Sequence, residues 1–186
     1  PPAPLDRPVL ARCTIARTQG REAKGVAKDD LAAGRQALGA HFRAAAPALI
    51  AAWRAAIAAD PQLTASNALP RVQLVDHLPQ WLASFADILA AVPGEPVADA
   101  AEARDAEAHG LQRWQQGYDL HDVTREWGCL HRCLVAELER FTAGHPELPA
   151  EVFAEARMKL AEQVTEAMST SAQRYFQLER VEAAGA

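Results

Sequence analysis

Four side chains near the middle of the chain have the residue types and spacing to do chemistry together: His109, Arg113, Glu126 and Trp127. His109 and Arg113 are four apart, so on a helix they share one face. Between them and Glu126 lies Gly117-Tyr118-Asp119, where the glycine stops one helix and the aspartate starts the next. The chain turns back there, bringing Glu126 and Trp127 of the returning helix opposite the first pair. An imidazole, a guanidinium, a carboxylate and an indole gathered this way have two uses. They recognise a small anionic or amide ligand, or they lock the hairpin as a buried polar cluster. Ion-pair networks are commonly structural, so the lock is the first reading.

The other reactive types carry less. Cys129 and Cys133 are spaced i, i+4 on one helical face, with His131 off it and no tight Cys-x-x-Cys turn for zinc, so both read as small buried hydrophobes. Among six histidines, His77 and His109 are the candidates for a haem ligand in a helical bundle, but neither is paired with Cys or placed in a Glu-x-x-His repeat. His121 and Asp122 read as a helix start rather than an acid/base dyad. Nucleophile elbow, phosphate loop, HExxH and kinase signatures are absent. The expectation is therefore a domain with no catalytic residue, no metal and no cofactor. Trp53, Trp81, Trp114 and Trp127 fall one per major helix, as core anchors or rims of a pocket.

Helices must position these groups. Alanine and leucine dominate, while β-branched and aromatic residues are sparse, which favours helix over strand. Residues 1–28 hold four prolines and a run of Arg and Lys without an apolar period, and read as a mobile basic tail. From Asp29, Leu31, Leu38, Phe42, Leu49, Ile50, Trp53 and Ile57 recur at helical spacing, with Pro47 as a kink or a fresh first turn, until Asp60-Pro61. A second series, Leu69 to Leu89, is interrupted at Pro79. Pro93-Gly94-Glu95-Pro96 is a loop, and 98–116 is helical again with Ala101, Ala108, Leu111 and Trp114 inward. Helix 120–142 follows, with Asp119 and Asp122 as an acidic variant of the capping arrangement. A long helix begins near Pro149, with Phe153, Leu160, Val164, Ala167, Ser171 and Leu178 near heptad spacing. The fold expected is all-α: one bundle of five to six helices over 29–180, of simple or globin-like packing, with a C-terminal helix over 149–186 leading towards an output module.

Composition bounds the function. At 186 residues and 49% hydrophobic, the chain suits one domain with a true core. The mild net charge of −5, without a basic stripe interleaved with aromatics, argues against nucleic acid. No stretch approaches a membrane span, and three cysteines suit reduced thiols in the cytoplasm.

The run from His109 through Arg113, Gly117-Tyr118, Arg125-Glu126-Trp127 and Leu130 to Arg132 resembles the RsbRD-type N-terminal sensory domain. That family's pattern is H, three residues, R, three residues, G-Y, then an r-E-y and L-R helix. Leu49-Ile50-Ala-Ala-Trp53 and Asp76-His77-Leu78-Pro79 resemble its opening helix and L-P step. Trp127 stands where Tyr is usual and His131 where Arg is usual. The resemblance implies a cytoplasmic, dimeric input domain answering an unidentified small-molecule or protein signal. Its output would be a histidine kinase module downstream in the same chain, with a stressosome-like partner-switching scaffold as one alternative. A haem-binding, globin-like gas sensor is the other.

Overall fold

The computed structural model describes residues 28–63, 78–92 and 99–185, with the side chains of 99–103 left aside. Among the described residues there are five helices: α1 (Lys28–Ala58), α2 (Leu78–Ala90), α3 (Asp99–Gln115), α4 (Leu120–Gly144) and α5 (Ala150–Gly185). No strand occurs among the described residues, and the fold is an all-α bundle with a long C-terminal helix. The basic tail up to residue 27, the apolar series from Leu69 to Val75, His77 and the loop at Pro93 lie outside the described residues.

Sequence period becomes packing most directly in α1 and α2. Leu38, Phe42, Leu49, Trp53 and Ile57 line the buried side of α1, and Leu31 and Ile50 are partly covered. Pro47 sits at an exposed position and α1 runs through it as one helix. In α2, Pro79 is the second residue, and a first-turn proline has no helical acceptor to lose. Leu78, Trp81, Leu82, Phe85, Ile88 and Leu89 are all buried behind it. The two helices cross closely at Gly39, where a Cβ would stand 2.6 Å from the Ala86 carbonyl oxygen. Phe42 meets Phe85 edge-on at 5.6 Å, and Trp81 stacks on Phe85 at 5.5 Å.

The inward face of α3 differs from the expected one. Ala108 is exposed and Leu111 and Trp114 are half-buried, whereas Ala106, His109, Gly110 and Arg113 are buried. The buried stripe is displaced because its large members are polar, and an apolar period cannot register them. The chain does turn at Gly117, but α3 and α4 do not form a closely packed hairpin. α3 lies along α5 and α2, while α4 lies along α5 and α1. Arg113 and Glu126 reach across the wedge between them.

Candidate functional site

Local sequence explains the turn that opens the site. Gly117 takes a left-handed backbone at φ 75°, which costs a glycine nothing, and lets the Gly117 and Tyr118 amides bond back to the carbonyls of Trp114 and Arg113 at 3.1 Å each. Asp119 then caps α4: its Oδ1 accepts from the Asp122 amide at 2.8 Å, as the sequence suggested. Tyr118 is pulled inside between these two events and is 2% exposed.

The four predicted residues come together. Arg113, fully buried, donates from Nε to Glu126 Oε2 at 2.6 Å, and His109 Nε2 lies 3.4 Å from the same oxygen. Arg113 also donates from Nη1 to Gln116 Oε1, and its guanidinium lies over the Tyr118 ring, 5.1 Å from the centroid. The Trp127 indole stands edge-on to His109 at 5.1 Å and to Trp81 at 5.4 Å. Trp53 Nε1 donates to the Glu126 carbonyl oxygen at 3.2 Å, tying α1 to the first third of α4.

Burial pushes the Glu126 carboxyl above the ordinary carboxylate range, and the Arg113 guanidinium opposes that shift without cancelling it. Burial, and next the nearby Glu126 carboxylate, push the Tyr118 phenol upward, so it stays neutral. The Tyr118 hydroxyl and Glu126 Oε1 each lack a hydrogen bond of ordinary geometry, yet each is close enough to alter the other's acidity.

Beside this carboxyl lies a cavity of about 10 Å³ lined by Trp53, Leu78, His109, Glu126, Trp127 and Leu130. That is room for about one water. A ligand larger than a water requires the wall to move.

Three further residues belong to the site and were missed by spacing arguments. Ser171 of α5 accepts from Trp127 Nε1 at 3.0 Å and donates to the Ala106 carbonyl oxygen at 2.8 Å. Tyr175, one turn on, donates to the Tyr118 carbonyl oxygen at 2.6 Å. Gly110 admits α5: a Cβ there would be 2.3 Å from the Ser171 carbonyl oxygen. The available signal was a serine at an apolar heptad position.

The remaining candidates fall into structural roles. Cys129 is buried and Cys133 half-buried, and burial pushes both thiols upward, away from the reactive thiolate. Asp119, His121 and Asp122 offer ligand atoms within 4.8 Å of one another, but Asp119 is spent on the cap and His121 contacts Asp122 at 3.4 Å. Trp53, Trp81 and Trp127 are core anchors; Trp114 is half-buried at the core edge.

Residues 47–186 match the family described as the RsbT co-antagonist protein rsbRD N-terminal domain. No curated protein and no solved structure matches the chain.

Proposed function

The chain belongs to the RsbT co-antagonist protein rsbRD N-terminal domain family, and from that premise we propose that it is the sensory and regulatory domain of a partner-switching signalling protein. The observation that carries this reading is the burial of His109, Arg113 and Glu126 in a polar cluster that joins α3 to α4 and is bonded to α1 through Trp53 and, through Trp127, to α5. A domain built for catalysis opens its polar groups to a substrate. This one encloses them and attaches them to a long helix, the arrangement suited to holding two packings close in energy and reporting which is occupied. The domain itself performs no reaction in this reading. It acts as a cytoplasmic homodimer through protein partners, and no described helix is long and apolar enough to cross a membrane.

A histidine kinase output is the second reading, favoured by the exposed distal part of α5, which offers an unencumbered helix to a following module. The gene downstream of Ala186 separates the two. An H-box helix followed by an ATP-binding segment selects the kinase, and a partner-binding module without them selects partner switching. An unrelated enzyme domain would count against both. Light scattering and an absorption spectrum of the purified chain complete the test: a colourless dimer is expected, whereas a monomer or a Soret band overturns the reading.

A further inference from the structure

The buried residues of α5 run Val152, Phe153, Ala156, Leu160, Val164, Ala167, Ser171 and Tyr175. The first six are apolar and grip the bundle by packing. The last two hold it by three hydrogen bonds, two of which end on residues that flank the His109–Arg113–Glu126 cluster. Ser171 is joined to Trp127, which follows Glu126 in sequence and packs its ring on His109. Tyr175 is joined to Tyr118, whose ring lies against the Arg113 guanidinium. Beyond Tyr175 no residue of α5 is buried: Leu178 is half-covered and the others in 176–185 are exposed, Val181 at 71%.

We propose that Ser171 and Tyr175 form a releasable clamp, by which the state of the buried cluster sets whether the distal end of α5 is pinned to the bundle. This rests on the regulatory reading above and specifies its output step. The geometry makes the clamp sensitive to small displacements. Ser171 bridges two helices at once, and it seats on the one place in α3 where glycine leaves the backbone bare. A shift of Trp127 by about an ångström stretches its bond past useful length, and a displaced α3 carries Ala106 and Gly110 away from Ser171. Apolar contacts nearer the start of α5 have no such directional requirement, so that part stays docked while the end is released.

The test is amide hydrogen exchange on the full 186-residue chain, comparing residues 172–185 with residues 38–57 of α1. Ser171→Ala removes the two bonds of its hydroxyl and Tyr175→Phe removes one, and both keep the fill of the core. Each is expected to raise exchange over 172–185 by roughly two- to tenfold, with α1 unchanged. Glu126→Gln, which touches neither Ser171 nor Tyr175, is expected to raise exchange in the same α5 segment; His109→Gln serves if that variant does not fold. A uniform rise along all helices would reduce these bonds to general stability and overturn the clamp, as would an α5 end unmoved by either cluster variant. No partner is present in this assay, so its failure leaves the partner-switching reading intact, and the downstream-module test can fail without touching the clamp.

Discussion

The α1–α2 crossing and the junction of α3, α4 and α5 use the same device and fill it with opposite chemistry. Each has a glycine where helices approach too closely for a side chain, Gly39 against the Ala86 carbonyl and Gly110 against that of Ser171. Gly39 packs against Ala86 and Ala90 in a crossing filled by apolar groups such as Phe42, Phe85 and Trp81, where stability follows apolar area and degrades gradually as atoms are removed. Around Gly110 the space is closed by His109, Arg113, Glu126, Trp127 and Ser171, where each group depends on its partner. A buried ion pair adds little net stability over apolar filling, but losing one partner strands the other in a medium that cannot solvate it. The first region therefore holds the bundle together, and the second specifies one arrangement of it.

The largest effect expected is at the polar junction. Arg113→Ala leaves the Glu126 carboxylate buried without its guanidinium and should cost about 3–5 kcal/mol, a fall in Tm of about 10 °C or more. Arg113→Met combined with Glu126→Leu should recover much of that loss. A double variant as unstable as the single one would show that the junction is held by something other than the pair. In the apolar crossing, Leu38→Ala should cost about 2–5 kcal/mol in denaturant unfolding, with no partner substitution able to restore it except one that refills the volume. Gly117→Ala is smaller, about 1–2 kcal/mol, because only the left-handed backbone is penalised and nothing crowds the site. Smallest in size is Arg140→Ala, on an arginine 69% exposed and paired with Glu137, at under about 1 kcal/mol. Equal melting temperatures for the Arg113 and Arg140 variants would refute a packed polar cluster.

The pH response sharpens the same contrast through its slope. Because burial raises the Glu126 pKa, the native state holds a proton that the unfolded chain has released, so stability falls as pH rises from the ordinary carboxylate range through the raised value. Glu155 has the opposite sign. Burial alone would raise it, but hydrogen bonds from Arg35 and Lys159 outweigh burial and lower it, so its contribution is present above the ordinary carboxylate pKa and is lost as pH falls through the lowered one. The stability of the wild type minus that of Glu126→Gln should shrink as pH rises from the ordinary carboxylate range upward. A difference that stays flat or grows would mean that Arg113, rather than burial, dominates Glu126.

The linear sequence determined the helices and much of the cluster. Alanine-rich stretches with apolar residues at helical spacing specify α1, α2, α4 and α5 through local propensity and burial, and Gly117 followed by Asp119 marks the turn through backbone geometry and capping. His109 and Arg113 had to share a face because four residues make about one helical turn. What only the tertiary structure decided is which face of α3 is inside and which helix it meets. Its buried stripe is polar, and polar residues carry no periodic signal of burial until their partners are known. Sequence adjacency pointed α3 at α4, but packing set it against α5, because Gly110 allows the closest approach there and the bulk of Arg113 and Trp127 holds α3 and α4 apart. Ser171 and Tyr175 become part of the site by that choice alone, more than forty residues of chain away from the groups they hold.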